Sequence, residues 1–99
     1  MTELADAIAR DARLRILEEL DRQVDGRLNE LLLVRVLDAY GIRRDRDWAA
    51  TQLRKLEALG AVELQNAGTV LVARITRAGR DHVAERSVIE AVTRPSEVN

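Results

Sequence analysis

Residues 53–80 read LRKLEALGAVELQNAGTVLVARITRAGR and decide the fold of this chain. Leucines at helical spacing end at Gly60, and glycine tolerates the positive φ that closes a helix. Apolar and polar side chains then alternate over 61–65, turn residues follow, and a β-branched run covers 70–75. Thr76 can cap the free amides of a following helix. The stretch therefore predicts the end of one helix, a β-hairpin and the start of another helix.

Three helices are predicted upstream of the hairpin. Apolar residues at three- and four-residue steps indicate a first helix over 3–23. Asn29 can cap a second helix that ends at Gly41, and its many apolar residues predict that it lies between other elements. The third helix covers about 45–59, because Asp45 can cap its first turn.

The order of three helices, a hairpin and a last helix is the layout of the winged helix-turn-helix, a mainly α fold with a small β-hairpin. In that fold the third helix enters the major groove of DNA and the hairpin lies beside it. The last helix is expected to continue at least to Glu85. We expect a winged-helix domain over residues 1–92 and a flexible C-terminal tail over residues 93–99.

The composition limits the chemistry that the chain can carry. Of its 99 residues, 46% are hydrophobic but only 2% are aromatic, so aliphatic side chains must build the core. The absence of cysteine excludes disulfides and thiolate metal sites, and the single histidine, His82, is expected at a solvated helix position. The sequence contains no converging acid–base pair and no phosphate-cradling glycine loop, so we expect no enzyme activity, no metal and no cofactor.

The N-terminal segment carries acidic residues among its apolar ones, at Glu3, Asp6 and Asp11. It therefore contains neither the apolar core of a signal peptide nor a membrane span. We expect a cytoplasmic protein with no membrane partner.

Charge is distributed unevenly along the chain. The formal net charge is −1, yet residues 43–80 hold eight basic and four acidic residues. Two interpretations stay open at this point. The middle segment forms a basic surface that faces phosphate, or its arginines are paired with nearby acids.

The residues around the hairpin also carry a family resemblance. Residues 53–62, followed by 70–75 and by Thr76-Arg77-Ala78-Gly79-Arg80, resemble bacterial winged-helix regulators of the ArsR and MarR type, with Ile75 where leucine is common. The resemblance covers roughly residues 11–86. It implies a transcriptional regulator that binds double-stranded DNA through its third helix.

A second resemblance is to short winged-helix proteins of Mu-like phages and prophages. It rests on Asp11-Ala12-Arg13-Leu14, on Gly26-Arg27-Leu28-Asn29-Glu30 and on Val92-Thr93-Arg94-Pro95-Ser96. It implies a phage or prophage origin.

The resemblance to winged-helix regulators places the candidate DNA-binding residues on the exposed side of the third helix and just before it. Thr51 and Gln52 suit base edges, and Arg54 and Lys55 suit guanine or phosphate. At the helix start, the DNA backbone is the expected partner of Arg43, Arg44 and Arg46. The alternative for the charged residues is that they are solvated and paired with nearby acids. Trp48, at the edge of the apolar stripe, is expected to be half-buried.

Two features weigh on this assignment. The hairpin tip, residues 65–69, has no arginine or lysine to insert into a minor groove. A winged helix can also serve as a protein-interaction module without DNA binding, and this is the rival prediction. Salt dependence separates the two, because phosphate contacts weaken steeply as salt rises.

A homodimer is expected, because two-fold symmetry doubles the phosphate contacts of so small a domain. The predicted interface combines the first helix with the end of the chain through Leu4, Ile8, Val88, Ile89 and Val92. The alternative is that these residues pack on their own core.

Overall fold

The computed structural model describes residues 2–98, which form five helices and one three-stranded antiparallel sheet. The fold is therefore a small mixed α/β fold. In chain order its elements are α1 (Thr2–Arg22), β1 (Arg27–Asn29), α2 (Glu30–Ala39), α3 (Arg46–Ala58), β2 (Val62–Ala67), β3 (Val70–Ile75), α4 (Arg77–Val83) and α5 (Pro95–Val98).

Three helices begin at the polar residues that the sequence predicts as caps. Each side chain accepts a hydrogen bond from the amide three residues further on, at 2.9 Å for Asn29, 2.8 Å for Asp45 and 3.2 Å for Thr76. These bonds use amides that have no partner within the helix. The predicted starts of α2, α3 and α4 are confirmed.

The hairpin is confirmed, and it carries a third strand that sequence reasoning missed. β2 and β3 pair from Val62 with Ile75 to Ala67 with Val70. β1 pairs with the other edge of β3, so that the strand order is β1-β3-β2. A strand of three residues has too few positions to show alternation, and its partner lies far along the chain.

The core is aliphatic, as the composition predicts, and leucines of α1, α2 and α3 supply much of it. α2 is less enclosed than expected. Leu33 and Leu37 are buried, but Leu31, Leu32 and Tyr40 are 45%, 42% and 42% exposed. α2 does contact α1, α3, β1 and β3, in line with its predicted place between other elements, but these elements cover one side of it and leave the other side in solvent.

The helix after the hairpin, α4, is shorter than expected. α4 ends at Val83, not at or beyond Glu85, which has a φ of 58°.

His82 is only 1% exposed, so its predicted solvated position is also wrong. Its Nδ1 accepts from the Ile89 amide at 3.0 Å, and its Nε2 lies 2.9 Å from the carbonyl oxygen of Thr93. Because Nδ1 accepts, the proton of the neutral ring is on Nε2. The imidazole thus joins α4 to the segment that follows it.

The segment after α4 returns to α1. Val92 is buried in the core, which contradicts its predicted place in a dimer interface. Thr93 donates from Oγ1 to Asp11 Oδ1 at 2.6 Å, and its amide donates to the carbonyl of Arg10 at 3.4 Å. Among residues 2–98, no helix is long and apolar enough to cross a membrane.

Candidate nucleic-acid interface

α3 has one buried face and one exposed face. Ala49, Leu53 and Leu56 are fully buried against the core. Thr51, Arg54 and Lys55 are exposed. This division follows from the helical period, which sets the exposed residues about half a turn from the leucines. The helix therefore presents a polar, cationic side to solvent.

Gln52 does not belong to that exposed side. It is 3% exposed, and its Oε1 accepts from Arg13 Nε at 2.9 Å. Its predicted role as a reader of base edges is wrong, because the amide is buried against α1. Sequence reasoning missed the contact because Arg13 lies 39 residues earlier in the chain.

The side chains of Arg54 and Lys55 form no hydrogen bond or ion pair with any residue between 2 and 98. Arg54 does lie within electrostatic reach of Glu30, whose pKa it helps to lower. The hydroxyl of Thr51 donates to the carbonyl of Asp47, at 3.0 Å. Its oxygen can still accept a hydrogen bond. These three side chains are available to an external partner.

The arginines before α3 differ in their partners. Arg43 Nε donates to Asp38 Oδ1 at 3.0 Å, with 89% of the arginine side chain exposed. Arg44 donates to the carbonyl of Arg43 at 3.0 Å and lies over the ring of Trp48, 5.4 Å from its centroid. Both alternatives for the basic segment therefore occur, because some of its arginines are paired with acids and others are not.

Trp48 is half-buried against the core, as predicted. Its indole lies on the first turn of α3 and supports the guanidinium of Arg44 from one side. A cation over an aromatic face gains about 0.5–1 kcal/mol at an exposed site. Trp48 thus positions a cation next to the exposed face of α3.

Arg46 is held by Glu30 and by the hairpin. Its Nε donates to Glu30 Oε1 at 3.1 Å, its Nη2 lies 3.4 Å from Glu30 Oε2, and Nη2 also donates to the carbonyl of Thr69. Two nitrogens of Arg46, which was predicted to contact phosphate, therefore donate to groups of the protein itself. The side chain keeps 43% of its surface exposed.

Glu30 is a site residue that sequence reasoning missed. The pairing of β1 with β3 ends at Asn29 and Val72, and the next pair would join Glu30 to Leu71. The backbone enters α2 at Glu30, so the carboxylate, through Oε2, takes its place as acceptor of the Leu71 amide. Its partners are 16 and 41 residues away, and no local pattern in the sequence indicates them.

The charge of Glu30 is stabilised by these contacts. Burial raises the pKa of its carboxyl, but the hydrogen bonds from Arg46 and from the Leu71 amide outweigh burial and hold the pKa below its ordinary value. The side chain is 5% exposed. It therefore fixes the first turn of α3 to the hairpin as a buried anion.

A cleft of about 340 Å³ lies between the start of α3 and the hairpin tip. Arg46, Arg54 and Asp47 line it from α3, and Asn66 and Thr69 line it from the hairpin. The tip itself has only polar or small side chains, so the cations of this region come from α3.

Among residues 2–98, no group of three or more histidine, cysteine, aspartate or glutamate side chains is placed to hold a metal ion. The arrangement of Thr51, Arg54 and Lys55 beside a polar hairpin is suited to contacts with an anionic surface. Comparisons with protein-family models, with curated proteins and with solved structures found no match to this chain.

Proposed function

We propose that this protein is a winged helix-turn-helix domain that binds double-stranded DNA through α3 and regulates transcription. One observation carries the proposal. Thr51, Arg54 and Lys55 share the exposed face of a helix whose opposite face is anchored in the core, and no carboxylate of the described residues pairs with either cation. A rigid helix with free cations and hydrogen-bonding groups is the element that major-groove readers use.

The order of the elements supports the winged-helix proposal. Three helices precede the hairpin, short joints connect them, and α4 follows β3 directly. In this arrangement α3 takes the place of the recognition helix and the β2–β3 hairpin takes the place of the wing.

The proposed contacts fall into two groups. Arg54, Lys55 and Thr51 reach base edges or the phosphates that flank them. Arg43 and Arg44, at the start of α3, contact the DNA backbone, and Arg43 exchanges its exposed pair with Asp38 for a phosphate. Arg46 sets the position of α3 from within the protein.

DNA binding by a homodimer is part of the proposal. Two copies related by a two-fold axis place two α3 helices in successive major grooves. Leu4 and Val88 are 63% and 58% exposed and remain candidates for the interface, whereas Ile8 and Ile89 are half-buried. Light scattering at micromolar concentration tests this part, and a monomer mass would overturn it.

The experiment for DNA binding compares two double charge reversals by fluorescence anisotropy with a mixed-sequence duplex. Arg54→Glu with Lys55→Glu is expected to abolish binding. Arg22→Glu with Arg77→Glu changes the net charge equally, at exposed positions on α1 and α4, and is expected to retain most of it. Equal loss in both variants would show a general charge effect and would refute the role of α3.

Salt dependence provides the second measurement. Each neutralised phosphate contributes about −0.9 to the slope of log K against log salt. We expect the wild-type slope to correspond to several phosphates. An affinity that does not change with salt would contradict DNA binding through phosphates.

A second candidate function is a protein-interaction module. The exposed Leu31 and Leu32 on α2, with Tyr40 directly after it, favour this function, because exposed apolar side chains are common in protein interfaces. Binding to a protein through this surface would be insensitive to salt and to the charge reversals on α3. The same two measurements therefore distinguish the two functions.

A further inference from the structure

A buried arginine on α1 has no ionic partner within the part of the chain that the structure describes. Arg13 is 6% exposed, and its guanidinium donates to two neutral oxygens, the Oε1 of Gln52 and the carbonyl of Ala91. No carboxylate of residues 2–98 lies within ion-pair distance of its guanidinium. A buried charge without a counter-ion is costly, and most buried arginines are paired.

The remaining nitrogen of this guanidinium faces a cleft. Nη2 of Arg13 donates to no atom of the described residues, and no buried side-chain nitrogen or oxygen there lacks a partner. Nη2 must therefore reach solvent. The cleft that Arg13 lines has a volume of about 220 Å³, and its other walls are Asp6, Arg10 and Ala91.

The cleft has a positive electrostatic balance. Burial lowers the pKa of Arg13, repulsion from Arg10 lowers it further, and attraction to Asp6 partly opposes both effects. Arg10 also lies within electrostatic reach of Glu97. Two guanidinium groups and one carboxylate thus line the cleft itself, and a single added negative charge would balance them.

We propose that this cleft binds a small monocarboxylate. Its carboxylate would accept hydrogen bonds from Nη2 of Arg13 and from the guanidinium of Arg10, and its short aliphatic part would lie against Ala91. The planar fork of arginine matches a carboxylate. A phosphate dianion fits less well, because its second charge would lie beside Asp6. The volume suits a ligand of a few heavy atoms, since a water molecule occupies about 30 Å³.

The site is separate from the proposed DNA surface, and it does not depend on DNA binding. It lies between α1 and the segment before α5, whereas Thr51, Arg54 and Lys55 project from the far side of α3. Arg13 nevertheless contacts α3 through Gln52. Ligand binding is therefore expected to be visible at the Gln52 side-chain amide.

The test is a titration of the ¹⁵N-labelled protein with sodium propionate in the millimolar range, at ionic strength kept constant with sodium chloride. We expect saturable shifts of the Arg13 Nε–H and Gln52 amide signals. Propionamide, which has the same shape without the charge, is expected to cause none. Equal shifts with propionamide, or no saturable shift with propionate, would overturn the proposal.

Two variants locate the site without disturbing the core. Arg10 is exposed, so Arg10→Gln should fold normally and is expected to weaken propionate binding about tenfold, the loss of one charge-assisted hydrogen bond. Arg22→Gln removes an exposed arginine from the same helix outside the cleft and should leave the affinity unchanged. An unchanged affinity in Arg10→Gln, or tighter binding of inorganic phosphate than of propionate, would refute the assignment.

Discussion

Glu30→Gln keeps the size of the buried side chain at the start of α2 and removes its charge. In the wild-type protein the carboxylate accepts from two nitrogens of Arg46 and from the Leu71 amide. Glutamine replaces one of the two carboxylate oxygens with an NH₂ group that cannot accept, so at least one of these hydrogen bonds is lost and the others no longer end on a charged acceptor. The substitution therefore tests whether a buried anion holds α3 to the hairpin.

The magnitude follows from the exposure of the two partners. A hydrogen bond to a charged group contributes about 1.5–3 kcal/mol. Breaking a fully buried ion pair costs about 3–5 kcal/mol, but the Arg46 side chain is 43% exposed and regains water once it is released. We therefore expect Glu30→Gln to lower the free energy of unfolding by about 2 kcal/mol. Glu30→Ala should cost about 2 kcal/mol more, because it leaves the Leu71 amide without an acceptor.

The assay is urea unfolding followed by circular dichroism at neutral pH. Glu63→Gln is the matched control, because Glu63 pairs with Arg74 on the hairpin surface and both side chains are largely exposed. An exposed pair contributes at most about 1 kcal/mol. If Glu30→Gln loses no more stability than Glu63→Gln, the idea that Glu30 anchors α3 is refuted. Hydrogen exchange at the Leu71 amide gives a local readout, and it should accelerate most in Glu30→Ala.

Three further outcomes are expected. Because the folded protein lowers the pKa of Glu30, its stabilising contribution is complete above the ordinary value of 4.5 and is lost as pH falls through the lower folded value. The difference in unfolding free energy between wild type and Glu30→Gln should therefore shrink below about pH 4.5, and a constant difference would contradict this. Gly79→Ala should lower the melting temperature, although alanine favours helix by about 1 kcal/mol, because the added Cβ overlaps the carbonyl oxygen of Ala61. An unchanged or higher melting temperature would show that Ala61 can move aside. His82→Leu should accelerate hydrogen exchange at the Ile89 amide, which loses its acceptor, and unchanged protection there would argue against the buried imidazole bond.

Local patterns predicted much of the fold. Asn29, Asp45 and Thr76 cap helices because their side chains reach amides only three residues away. The hairpin was predicted from alternation on both sides of a short turn. The two faces of α3 followed from the helical period, which placed Arg54 and Lys55 in solvent and the leucines in the core. Each of these interactions lies within one turn or one hairpin.

The site was predicted less completely. Gln52 lies between the two faces of α3, and periodicity could not indicate that Arg13 covers it. Arg46 was predicted to be a surface cation, yet it forms an ion pair with the buried Glu30. The sequence showed that residues 43–80 are rich in basic side chains, but it did not show which of them pair with acids.

The sequence by itself thus determined the caps, the turns and the apolar stripes, because each of these depends only on residues a few positions apart in the chain. Which polar groups become buried, and which cations stay free, depends on contacts across 16 to 82 residues. Those contacts exist only after α1, α3, the hairpin and the C-terminal segment have packed together. Packing brings a carboxylate to the end of β1 and an arginine beneath Ala91, and it leaves the outer side of α3 uncovered.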